Sequence, residues 1–119
     1  MARDAPQIDA YGDGGFRLST GRHEGSLLIV RDEARTWPVR AMSDLAPEHF
    51  AEIIEAGRSE VEFVLLGAGQ ANALPPRAVR DALQRAGIGL EFMDTATACR
   101  TYNILTAAGR KLAAALIAV

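Results

Sequence analysis

The chain has 119 residues, 49% hydrophobic and 24% charged, with a formal net charge of −2. That is enough chain to bury one real core, and the slight acid excess argues against the basic patch that nucleic-acid binding requires. A lone cysteine, Cys99, excludes an internal disulfide and any Cys-rich metal knuckle, and no apolar stretch reaches the roughly 18–20 residues that cross a bilayer.

Residues 1–10 are polar apart from Ile8, which could tuck in, lack the apolar centre of a signal peptide, and read as a flexible N-terminus ahead of a single α/β domain over 11–119. A reduced, cytoplasmic compartment is the expectation. YGDGGF (11–16) is a turn signal, with Asp13-Gly14 suited to a tight reversal. It departs from the dinucleotide fingerprint, since Arg17 stands where the third glycine belongs. FRLST (16–20) alternates as a half-exposed strand does, GRHEG (21–25) reads as the next turn, and SLLIV (26–30) has the unbroken apolar character of a strand covered on both sides. RTWPVR (35–40) places Trp37 and Val39 on one face, and Pro38 confines it to a sheet edge or ends it. Together these make an antiparallel opening section of hairpin type.

The period then changes. PEHFAEIIEAG (47–57) carries Phe50, Ile53 and Ile54 at helical spacing, with Glu48, Glu52 and Glu55 outward. VEFVLL (61–66) is a strand running into Gly67-Ala68-Gly69. PPRAVRDALQRAG (75–87) is an amphipathic helix with Gly87 as its C-terminal cap, and IGLEFM (88–93) is a further strand. A third helix is expected from Thr95 to Ala108, stopped by Gly109. The tail KLAAALIAV suits either an extension of that helix or a last buried strand, and its β-branched and large apolar end favours the strand. Strands alternating with helices imply right-handed crossovers, hence one compact domain with a mixed sheet: an antiparallel hairpin section, then parallel strands joined by crossover helices.

Ligands of parallel sheets sit beyond the carboxyl ends of the strands. Two such ends are visible, Gly67-Ala68-Gly69 and Met93-Asp94-Thr95. Asp94 or Thr95 can cap the third helix, which would make both of them structural. On that helix Cys99, Tyr102, Asn103 and Thr106 share one stripe, and the small residues around 98, 101, 105 and 108 suit close packing on a sheet. Arg100 stands in the first turns, where a cation opposes the helix dipole, so it needs Asp94, Glu91 or an anionic partner to offset it. A helix N-terminus and a guanidinium would lower the pKa of Cys99, yet neither His23 nor His49 has a sequence position that brings a base to it. Burial as an inert thiol is the commoner fate. Gly67-x-Gly69 resembles a phosphate loop only in part, because Asn72 fills the third glycine slot. No spacing of His, Cys, Asp or Glu suggests a metal, and no cofactor is expected.

YGDGGF, GSLLIV, Trp37, VEFVLLGAG, GIGLEFMDT, ACRTYNIL and Gly109-Arg110 follow one another in an order and spacing that resembles a known family over residues 8–119. It is a small domain of unknown function shared by bacteria and archaea, related to the mitochondrial assembly factor 3 of respiratory complex I. The resemblance implies an α/β domain with a mixed sheet, no established enzymatic activity, and a chaperone-like role with protein partners. Two departures stand out: Gly67-Ala68-Gly69 where the family usually has GTG, and Ala108-Gly109-Arg110 where it usually has Glu-Gly-Arg. Both favour an interaction surface over a strict catalytic site.

The leading expectation is a non-catalytic binding or assembly module. Its working edge would comprise Gly67, Gly69, Asp94, Thr95, Cys99, Arg100, Tyr102 and Asn103, contacting protein partners rather than nucleic acid or membrane. Apolar edges near Trp37 would permit self-association. The competing expectation is a small-molecule or anion-binding protein at the same edge, in one version a thiol enzyme using Cys99.

Overall fold

The run Leu27–Val30 is apolar at every position because it is buried on both faces of a sheet: Leu27 and Ile29 point into one core, Leu28 and Val30 into another. The computed structural model describes residues 5–119. In it the chain forms one α/β domain with a three-stranded antiparallel sheet and a five-stranded mixed sheet. The first sheet holds β1 (Ile8–Gly12), β2 (Gly15–Leu18) and β3 (Gly21–Glu24). The second has β4 (Leu27–Val30) and its hairpin partner β5 (Glu33–Thr36), then β6 (Phe63–Gly67), β7 (Gly89–Met93) and β8 (Leu112–Leu116). Its spatial order is β5-β4-β8-β6-β7, with β6 parallel to both β7 and β8, and β4 antiparallel to β8.

The helices divide between the two faces of this sheet. A short α1 (Ala51–Ala56) and α2 (Arg77–Arg85) cover one face with Trp37, Val39, Leu45 and Phe50; α3 (Thr95–Ala107) and the small sheet cover the other. Strand β8 lies at the centre, and its alanines let both layers approach closely. At the C-termini of α2 and α3 the chain turns on Gly87 and Gly109, each at positive φ. Each end is closed by the same pair of bonds: Gly87 N–H to Gln84 and Ile88 N–H to Leu83, then Gly109 N–H to Thr106 and Arg110 N–H to Leu105. No helix among the described residues is long and apolar enough to cross a membrane.

Several local expectations are corrected. GRHE (21–24) is a strand, not a turn; the reversal lies at Ser19-Thr20. This strand pairs through its main chain with β2, Phe16 opposite His23, and its exposed side chains leave no apolar alternation to read. Of the stretch expected to be a flexible N-terminus, residues 1–4 lie outside those described, whereas Ile8 to Ala10 belong to β1 and Ile8 is buried. The antiparallel opening section divides between two sheets, β1 to β3 in one and the β4–β5 hairpin in the other. The strand expected over 35–40 ends at Thr36, although Trp37 and Val39 both turn inward. Over 47–57 the first turn, Pro47–Phe50, is a 3₁₀ helix that continues into α1. Trp37 supplies no apolar edge for self-association: it is buried, and its indole N–H donates to the carbonyl of His49 at 3.0 Å.

Candidate functional site

The carboxyl ends of β6, β7 and β8 meet at Thr95. Its buried hydroxyl donates to the Ile117 carbonyl at 2.7 Å and accepts the Gly69 N–H at 2.9 Å. Its own N–H donates to Gly69 C=O at 2.9 Å, while Ala68 N–H donates to Met93 and Ile117 N–H to Gly67. A Cβ on Gly67 would stand 2.9 Å from a Leu116 methyl and 3.0 Å from the Thr95 hydroxyl. The glycine bend therefore exists to let three strand ends and a helix start come together. Gly67 and Gly69 are buried, so neither presents an open loop.

Asp94 caps α3. One carboxylate oxygen accepts the Thr97 N–H at 3.0 Å and the other accepts the Thr97 hydroxyl at 2.7 Å. These bonds, with a smaller contribution from the Arg100 charge, hold its carboxyl below the ordinary 3.8. The Thr97 N–H and hydroxyl at this helix N-terminus are thus taken by the chain's own carboxylate.

The stripe Cys99, Tyr102, Asn103 and Thr106 faces inward. Cys99 and Tyr102 belong to the core between α3 and the sheet. Burial pushes the Cys99 thiol up to about 12, outweighing the nearby Arg100 charge. A thiol so protonated is a poor nucleophile at neutral pH. The Tyr102 hydroxyl donates to Pro6 C=O at 2.8 Å, and the Asn103 amide bonds the main chain of Ile8. Polarity here marks internal partners rather than exposure, because a buried polar group is retained when its bonds are made inside.

Of the eight residues expected at the site, Arg100 is exposed and Asp94 and Asn103 are half-buried. Arg100 reaches across α3 to the Tyr11 hydroxyl and to the Thr97 hydroxyl, each at 3.4 Å. One turn on, Ile104 is 68% exposed, and Tyr11 beside them is 40% exposed. Arg100, Ile104 and Tyr11 thus form an outward patch of one cation, one aliphatic and one aromatic side chain. Tyr11 was beyond sequence reach, since it lies 89 positions from Arg100. Ile104 carried a readable signal: an aliphatic residue four positions after an arginine, off the stripe of Tyr102 and Thr106.

Comparison with known proteins follows from this geometry. Residues 8–117 match the family described as "Protein of unknown function (DUF498/DUF598)". An uncharacterized protein of Rhodobacter capsulatus is 36% identical over 110 residues, covering 92% of this chain and 82% of that one. NADH dehydrogenase (ubiquinone) 1 alpha subcomplex assembly factor 3 of Rattus norvegicus is 32% identical across 95% of this chain, which spans 60% of the rat protein's length. The crystal structure of an outer membrane protein from Bartonella henselae superposes with a TM-score of 0.86 at 32% identity, covering 100% of this chain and 99% of that one. The chain belongs to the DUF498/DUF598 family, and its relatives include NADH dehydrogenase (ubiquinone) 1 alpha subcomplex assembly factor 3 of several vertebrates.

Proposed function

We propose that this domain is a non-catalytic protein-binding module that assists assembly of a larger complex, respiratory in kind, in a reduced cytoplasmic compartment. The observation that carries the reading is its kinship with an assembly factor along 95% of its own length. The chain spans 60% of that relative's length. The burial of Cys99 supports the non-catalytic part, since the one thiol is packed and protonated.

The working surface is the Tyr11–Arg100–Ile104 patch with Asp94 at its rim. Gly67, Gly69, Thr95, Cys99, Tyr102 and Asn103 position it from beneath. Tyrosine and arginine anchor interfaces often because each joins large contact area to directional hydrogen bonds. The test is quantitative recovery of partner subunits on tagged protein from the native cell, comparing wild type with Arg100→Ala and Ile104→Asp. A loss of about tenfold with an unchanged melting temperature is expected for a pair of anchors. Equal recovery by the folded variants would sink the reading.

A further inference from the structure

The five-stranded sheet ends in two edges of unlike character. At β5 every residue is exposed, and Arg35 pairs with Glu33 and Glu52, a charged edge of the kind that repels further strands. At β7 the side chains of Leu90 and Phe92 pack on the α2 side of the core. Gly89 N–H donates to Glu62 C=O at one end of the β6–β7 ladder, and Met93 C=O accepts the Ala68 N–H at the other. A parallel ladder uses alternate residues, so Gly89, Glu91 and Met93 bond inward and the N–H and C=O groups of Leu90 and Phe92 point away from the sheet.

Along this edge, on the α3 side, runs a groove of about 440 Å³ lined by Phe63, Leu65, Glu91, Met93, Thr101 and Leu105. Gly89 opens its floor, and the Arg110 guanidinium lies 5.4 Å over the Phe63 ring at one end. Glu91 is the exposed acidic side chain on this edge strand, beside the apolar recess.

We infer that β7 accepts an added antiparallel strand from a partner protein, one with a basic residue opposite Glu91 and an apolar residue two positions later. Directly opposed residues point to the same face, so the basic side chain meets the Glu91 carboxylate and the apolar one enters the groove over Gly89. The main chains of Leu90 and Phe92 supply the bonds.

Charge decides between a partner and a second copy of this chain. Twofold antiparallel pairing of β7 with itself sets Leu90 opposite Phe92, which suits the bonding, but it also sets Glu91 against Glu91 at a Cα separation of about 4.5 Å. Like charges directly opposed destabilise a ladder, and a lysine or arginine there stabilises it. The groove faces the Thr101–Leu105 flank of α3, whereas the Tyr11–Arg100–Ile104 patch looks outward, so this surface goes beyond the one proposed above and stands or falls separately.

The probe is the blocked peptide Val-Thr-Lys-Thr-Leu, titrated into the ¹⁵N-labelled full chain. Saturable shifts are expected at the amides of Leu90, Glu91 and Phe92, with smaller ones at Thr101 and Leu105. Methylating the two threonine nitrogens, which face the edge, abolishes them; methylating the lysine nitrogen, which faces away, does not. Replacing the peptide lysine by glutamate weakens binding about two- to fivefold, and Glu91→Arg in the chain reverses that preference. No saturation at millimolar peptide, equal effects of the two methylations, or a β7-mediated dimer in solution would each overturn the inference. Partner recovery that persists in Glu91→Arg leaves the assembly role standing and removes native use of this edge.

Discussion

The side chain of Asn103 and the main chain of Ile8 exchange two hydrogen bonds: the amide nitrogen donates to Ile8 C=O at 2.8 Å and the amide oxygen accepts Ile8 N–H at 2.9 Å. A helical side chain thus stands in for a neighbouring strand, beside the irregular pairing of β1 and β2 between Ile8 and Ala10. With Tyr102 bonded to Pro6, it ties the start of the chain to α3 across 95 or more positions.

Asn103→Ala is therefore expected to cost about 1–3 kcal/mol, since two main-chain groups lose partners. Urea unfolding measures the loss, and amide exchange at Ile8 should accelerate more than at β6. Exchange unchanged at Ile8 would show that solvent replaces the amide at no cost.

Thr95→Val keeps the volume but strands the Gly69 N–H and the Ile117 carbonyl, both served by one buried hydroxyl. A destabilisation of about 1–3 kcal/mol is expected, with Thr95→Ser recovering most of it. Gly67→Ala fails by a different route, overpacking against Leu116 and Thr95, at a similar cost of about 1–3 kcal/mol. Thermal melts of the three variants separate lost bonds from lost space, because only the first class responds to serine.

The Cys99 thiol, pushed up to about 12 by burial, predicts alkaline sensitivity. In the unfolded chain it ionises near its ordinary 9.0, so the stability that comes from its neutral form is complete below that pH. It is lost as pH rises toward the folded value, by up to about 1.4 kcal/mol per pH unit. Cys99→Ala should flatten this limb between pH 9 and 11. Iodoacetamide at pH 8 should label the native protein only as fast as it opens; rapid labelling would place the thiol at the surface.

Asp94 predicts the opposite limb. Its carboxyl titrates below 3.8 in the folded state, so its contribution is present above that pH and lost as acid protonates it. Asp94→Asn keeps an acceptor for Thr97 but carries no charge to titrate. The stability gap between wild type and this variant should shrink between pH 4 and pH 2; a constant gap would contradict the cap's ionic character.

Much of the fold was legible because periodicity reports burial. The run at 26–30 and the helix near 75–87 follow from which faces must leave water, whereas the third helix was bounded by Gly109 and the terminal strand was only favoured over a helix extension by its β-branched and large apolar end. GRHE was illegible for the converse reason: a strand whose side chains face solvent is specified by main-chain bonds to β2. The site divides in the same way. Arg100 was found from its position in α3 and burial was already the commoner expectation for Cys99, but Tyr102 was counted in the working edge although its hydroxyl is satisfied inside by Pro6.

The sequence by itself determined the class of fold, the family and the end of the sheet where strands, glycines and helix start converge, because local patterning and motif order suffice for these. Only the tertiary structure decided which polar groups are spent internally and which strands lie at the ends of the sheet. Those outcomes depend on partners dozens of residues away, such as Ile8 for Asn103 and Ile117 for Thr95, that no local window contains.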